Sequence, residues 1–250
     1  MCMRCGNLAH ESANDSGTQR NARRELLRTA AVAGAGMFAT GALGTIYAQH
    51  AQAATPFRAA EPYASPAEAL AALYKGNERF VRGEVMAPNR NMARLQEVAG
   101  GQKPFAAFLG CADSRVPVEI VFDQGFGDVF VTRIAGNVAD PAIIGSLEFG
   151  VEVLGAQVLY VLGHTKCGAV SATMTASDVP GQISTLYQHI RRAAKESRGD
   201  LNAAIRRNVE IQAEILTEAS PVIAKRLKAG ALLIAGGVYD LDTGKVTPVS

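Results

Sequence analysis

The sequence contains no tryptophan, only four cysteines and four histidines, and little net charge, +2 at neutral pH. Four cysteines in 250 residues do not make a disulfide scaffold, and a chain of this length can bury a sizeable core, so a knottin or a peptide hormone is excluded. With 48% hydrophobic and 19% charged residues the composition is that of a folded globular protein, neither disordered nor collagenous. Five of the 25 basic and three of the 23 acidic residues fall within residues 1–53, which leaves 20 of each in the remainder. That balance, with the basic residues from Arg191 to Lys228 interleaved with acids at helical spacing, excludes a nucleic-acid partner. Two motifs are also missing. Gly125-Phe126-Gly127 has no third glycine and precedes a strand, so it is no dinucleotide fingerprint, and no Cys-x-x-Cys occurs beyond Cys5, which removes a thioredoxin-like reading.

The amino end has the layout of an export signal. Arg23-Arg24-Glu25-Leu26-Leu27 resembles the twin-arginine type, a mildly apolar, glycine-rich run from Thr29 to Ala48 follows, and Ala51-Gln52-Ala53 offers a small-x-small cleavage site. The run is also long enough to span a bilayer as a retained anchor, but its low hydrophobicity favours cleavage, which leaves no stable membrane span. The expected organisation is an export signal over 1–53, a linker over 54–64, a catalytic domain over 65–250, and a periplasmic or otherwise exported mature protein. Cys2 and Cys5, with His10, lie inside the segment expected to be removed.

Ser65-Pro66-Ala67-Glu68 combines an N-cap serine, a first-turn proline and a capping-box glutamate, and predicts an amphipathic helical arm from Pro66 to Arg82. From Pro104 onward, short apolar runs at Phe105 to Gly110, Val129 to Ile134, Val158 to Leu162 and Ala231 to Ala235 read as buried parallel strands. Helices are predicted from Pro141 to Leu154, Cys167 to Thr175, Gln182 to Lys195, Leu201 to Glu218 and Pro221 to Lys228. The fold class is α/β, a central and mainly parallel β-sheet flanked by helices, with an N-terminal helical arm and no internal repeat.

Two strands end in chemistry. Phe105 to Gly110 runs into Cys111-Ala112-Asp113-Ser114-Arg115, and Val158 to Leu162 runs into Gly163-His164-Thr165-Lys166-Cys167-Gly168. Ligands of open parallel sheets bind at the carboxyl ends of strands, so both motifs point to one place. Two thiolates and an imidazole make a tetrahedral zinc set with one position left over. A disulfide between Cys111 and Cys167 competes with this reading, but it leaves His164 and Asp113 without a role.

Cys-x-Asp-x-Arg followed by His-x-x-Cys, together with the stretch from Phe122 to Arg133 and Ala135-Gly136-Asn137, resembles the β-class carbonic anhydrases from about Ser65 to Val246. The resemblance implies reversible hydration of CO2 to bicarbonate, one Zn2+ per chain on Cys111, His164 and Cys167, and zinc hydroxide as the nucleophile. It makes Asp113 and Arg115 a carboxylate–guanidinium dyad beside the metal, with Asp113 a fourth ligand only in a closed state. Gln102 would orient bicarbonate, Phe130 and Phe149 match aromatic positions of the substrate pocket, often across a dimer interface, and Gly168 follows the last ligand. Core packing competes with that role for both phenylalanines.

The family has open and closed forms, and the closed form is associated with a tryptophan. Phe108 stands where that tryptophan is sought, and Gln102 is an open-type feature, so the open form is expected. Arg133 and Tyr239 match other residues of the family's regulatory bicarbonate site. Two thiolates make the metal more neutral than three imidazoles would, so activity is expected to rise on the alkaline side. His189 is the one imidazole left for proton transfer, against the plainer reading of a surface helical histidine. The resemblance also implies a homodimer or tetramer. Hydrolysis of carbonyl sulfide or carbon disulfide on the same ligand set, and a non-catalytic zinc-binding protein, are the rival readings.

Overall fold

The computed structural model describes residues 63–249 apart from Ser177, so the expected export signal, its cleavage site and most of the linker lie outside the described residues. Helix α1 (Pro66–Arg82) begins where the sequence places it. The Glu68 N–H donates to Ser65 Oγ at 3.2 Å, and Gly83 ends the helix in a left-handed conformation. Its inner face carries Ala69 and Leu73, both fully buried against the sheet. A short α2 (Met92–Val98) follows.

Five strands form one sheet in the order β2-β1-β3-β4-β5. They are β1 (Ala106–Gly110), β2 (Val129–Arg133), β3 (Val158–His164), β4 (Leu233–Tyr239) and β5 (Val246–Val249). The first four are parallel, and β5 returns antiparallel on β4. Every residue of β1 and β3 is buried, which follows from helices covering both faces. Alternate residues face opposite layers. Phe108 and Tyr160 pack with Phe122 and Leu73 under α1, while Leu109, Leu159 and Val161 pack with Leu147, Val209 and Leu216 on the other side.

The connections are α3 (Val118–Val121), α4 (Pro141–Glu148), α5 (Gly168–Met174), α6 (Tyr187–Glu196), α7 (Leu201–Ala219) and α8 (Pro221–Lys228). The helix predicted from Pro141 to Leu154 is divided, because a π-turn over Phe149–Val153 follows α4. The helix predicted from Gln182 opens as a 3-10 turn, Gly181–Leu186, before α6. The fourth strand starts two residues later than its apolar run and continues through Gly236-Gly237. Those glycines mask the strand in the sequence, yet a Cβ on Gly236 would lie 2.6 Å from Val209 Cγ1, so the close approach of α7 demands glycine there. Among the described residues no helix is long and apolar enough to cross a membrane.

Candidate metal centre

Cys111 follows the last residue of β1, His164 is the last residue of β3, and Cys167 caps α5 three residues later. Because β1 and β3 are adjacent and in register, with Gly110 opposite Leu162, these three residues meet at one edge. Their ligating atoms all lie within 4.8 Å of one another, and all three residues are buried. Cys111 and Cys167 are both free thiols, so the competing disulfide is not formed.

His164 is fully buried. Its Nδ1 lies 2.9 Å from the Thr165 carbonyl oxygen, a contact that requires the proton on Nδ1 and leaves Nε2 with a bare lone pair. Nε2 is buried and has no hydrogen-bond partner. A buried polar atom left unpaired is costly, and a cation between His164 and the two sulfurs removes that cost. The turn that carries Cys167 is fastened to β4: the Thr165 N–H donates to Tyr239 O at 2.9 Å, and Thr165 Oγ1 accepts from the Leu241 N–H. Lys166 adopts a left-handed φ of 58° in that turn and pairs with Asp242.

The two sulfurs differ in proton affinity. A hydrogen bond with Cys167 holds the Cys111 thiol well below its ordinary range; burial opposes this, and His164 and the Gly136 and Asp113 N–H groups add to it. Cys167 is pushed up by the same bond, by burial and by the charge on Cys111. The first sulfur gives up its proton the more readily of the two, and a soft divalent cation suits two thiolates and an imidazole once both protons have left.

Asp113 stands beside this group and outside it. Its Oδ2 lies 3.8 Å from His164 Nε2, and both its oxygens are taken by Arg115: the Arg115 Nε and backbone N–H donate to Oδ1, each at 2.9 Å, and Nη2 donates to Oδ2 at 2.7 Å. Those bonds hold the carboxyl well below the usual carboxylate range, against a smaller opposing effect of burial. Arg133, which matches a residue of the family's regulatory bicarbonate site, bonds to the backbone here. Its guanidinium donates to the carbonyls of Cys111 and Asp113, and so fixes the loop that presents both side chains.

The remaining expected site residues divide. Gly168 follows Cys167 at the start of α5, as the motif requires. Gln102 precedes β1 and lines a groove with Leu95, Val98 and Phe126, whereas Cys111 follows the other end of that strand. Phe130 is in register with Ala107 near the amino end of β1 and contacts Phe149, their ring centroids 6.3 Å apart. Phe149 is 46% exposed and is no core residue, whereas Phe130 packs partly into the core. Within one chain neither phenylalanine is brought to the thiol–imidazole group. Phe108 is fully buried, its ring tilted against those of Phe122 and Tyr160, and Tyr239 belongs to the same cluster. His189 lies partly exposed on α6, its ring nitrogen 3.3 Å from the Gln188 amide.

Residues 106–246, more than half of the chain, match the family model described as carbonic anhydrase. Carbonic anhydrase 2 of Mycobacterium tuberculosis is 40% identical over 192 residues, which cover 74% of this chain and 93% of that protein. The β-carbonic anhydrase CafA of Aspergillus fumigatus superposes with a TM-score of 0.58 at 27% identity, over 73% of this chain and 91% of that one. The Coccomyxa β-carbonic anhydrase, solved with acetazolamide, gives 0.57 at 27% identity over 74% and 86%. Sequence, fold and the paired motifs at the strand ends agree, and the chain belongs to the β-class carbonic anhydrase family.

Proposed function

We propose that the chain catalyses the reversible hydration of CO2 to bicarbonate and a proton at one Zn2+ held by Cys111, His164 and Cys167. The observation that carries this reading is the buried, partnerless Nε2 of His164 facing two buried sulfurs. Zinc on three protein ligands supplies Lewis acidity that makes water a nucleophile near neutral pH. Asp113 Oδ2 is the ionised acceptor beside that position, and Arg115 fixes the plane of its carboxylate. Oδ2 keeps a lone pair beyond its bond to Arg115, so Asp113 serves as an acceptor for the reacting water, and the two-point grip of Arg115 on the carboxylate favours the open form.

Gln102, Phe130 and Phe149 act in the site of a second copy of the chain. Their place near the amino ends of β1 and β2, and the exposure of Phe149, support this reading. It makes the working unit a homodimer or a tetramer of such dimers. The Arg23-Arg24 leader supports export of the folded protein, with its metal already enclosed.

The test is stopped-flow CO2 hydration by the zinc-loaded protein from pH 6.5 to 9, with carbonyl sulfide and carbon disulfide as competing substrates. A rate already present at pH 7 and rising toward alkaline pH is expected. Turnover of the sulfur compounds without CO2 hydration would overturn the assignment.

A further inference from the structure

We propose that Asn208, on α7, is a positioning residue for the metal centre: by holding the Gly136 carbonyl it aims the Gly136 N–H at Cys111 Sγ, and so sets how strongly that sulfur donates to the metal. This rests on reading Cys111, His164 and Cys167 as metal ligands.

A continuous hydrogen-bond chain links the helix to the sulfur. The Gly136 N–H lies 3.3 Å from Cys111 Sγ. Asn208 Nδ2 donates to Gly136 O at 2.9 Å, and Gln212 Nε2 donates to Asn208 Oδ1 at 3.1 Å. Gln212 Nε2 also lies 3.2 Å from His189 O, while Gln212 Oε1 accepts from the Ala139 N–H at 2.8 Å. The loop from Ala135 to Ala139 is thus gripped at both ends by two carboxamides one helical turn apart.

Both side chains are on the inner face of α7, 1% and 0% exposed, among Ala204, Ile205, Val209 and Leu216. Two amides on an otherwise apolar stripe are costly unless their polar atoms are used, and here they are used on the loop that lines the ligand group. Gly136 itself has a left-handed φ of 75° and ψ of 14°. A Cβ there would lie 2.6 Å from Ile190 Cδ1 and 3.2 Å from Ala169 Cβ. Only glycine fits, and that backbone conformation directs its N–H toward Cys111. A hydrogen bond to a ligating sulfur withdraws charge from it, which weakens thiolate donation and leaves the metal more electrophilic.

A purely structural role for Asn208 makes a different forecast, and cobalt substitution of the full chain separates the two. Asn208→Leu removes the donor at similar volume, and Gln212→Leu removes an equally buried amide that makes no bond of its own to Gly136. Asn208→Leu is expected to move the sulfur-to-cobalt charge-transfer band to lower energy and to change zinc affinity, measured by chelator competition, by about tenfold or more. Gln212→Leu is expected to lower the melting temperature with a band close to that of the unaltered chain. Asn208→Ser, too short to reach Gly136, carries the same expectation should the leucine variant not fold. An unchanged band and unchanged zinc affinity in the Asn208 variants, with only the melting temperature lowered, would overturn the proposal. Failure of the unaltered chain to bind either metal refutes the metal-centre reading and this one with it. Binding without CO2 hydration refutes the proposed reaction and leaves the band comparison standing.

Discussion

Arg115 grips both carboxylate oxygens of Asp113, with Nε 2.9 Å from Oδ1 and Nη2 2.7 Å from Oδ2, while Oδ2 stands 3.8 Å from the unpartnered Nε2 of His164. The carboxylate is held at the edge of the ligand group. Arg115 is half exposed, so its truncation removes little packing. Arg115→Ala should lower the CO2 hydration rate by about a hundredfold, with the melting temperature and zinc content nearly unchanged. Stopped-flow assay alongside calorimetry checks this, and an equal loss of zinc would show that the dyad serves the metal site's integrity instead.

Metal should also contribute to stability. Metal binding needs both thiols deprotonated, and burial with the neighbouring Cys111 pushes Cys167 up, so affinity falls as pH is lowered. Removing zinc with a chelator should lower the melting temperature, and restoring it to 100 times its dissociation constant should return about 2.7 kcal/mol. Differential scanning calorimetry of the two forms provides the measurement.

Placement of Gln102 beyond the far end of β1 from Cys111 makes complementation possible. Cys111→Ser and Gln102→Ala should each be inactive alone. Coexpressed, they should regain about a quarter of normal activity, because in a two-fold dimer half of the molecules are hybrids and each hybrid has one intact site. No recovery from purified hybrids would place Gln102 outside the neighbouring site.

Asp123 gives an acid-sensitive element remote from the metal. Its side chain is fully buried and accepts from Arg79 Nε at 2.7 Å and from the Met86 and Ala87 N–H groups at 3.0 and 2.9 Å. Burial alone would raise its pKa, but the Met86 N–H, the Arg79 guanidinium and the Ala87 N–H together hold it below the ordinary carboxylate value. A depressed folded pKa stabilises the fold in full above the unfolded value near 3.9, and the contribution is lost as pH falls through the folded value. Asp123→Asn should cost about 3 kcal/mol at pH 7, and its gap from the unaltered chain should narrow below about pH 4 in urea titrations.

Much of this fold is legible in the residues because the deciding signals are local. Ser65, Pro66 and Glu68 announce α1, and the apolar runs of β1 and β3 end directly in the ligand motifs. Strand β5 escapes such a reading: it is four residues long, contains Pro248 and is defined only by pairing with β4. Helix α2 buries no residue, so no apolar period marks it. Cys111, His164 and Cys167 stand out by spacing at the strand ends, but the supports for them do not. Arg133 acts through backbone carbonyls brought near by β-pairing, and Asn208 and Gln212 occupy core positions of α7. Two amides four residues apart on a predicted buried face were the available signal.

The most direct test is a zinc titration of the metal-free protein, following bound metal and CO2 hydration together, with Cys111→Ser run in parallel. Activity should rise in proportion to bound zinc, saturate at one ion per chain, and be absent from the variant. Hydration that is independent of bound zinc, or a fully loaded protein that hydrates no CO2, would contradict the assignment of Cys111, His164 and Cys167 as the catalytic metal site.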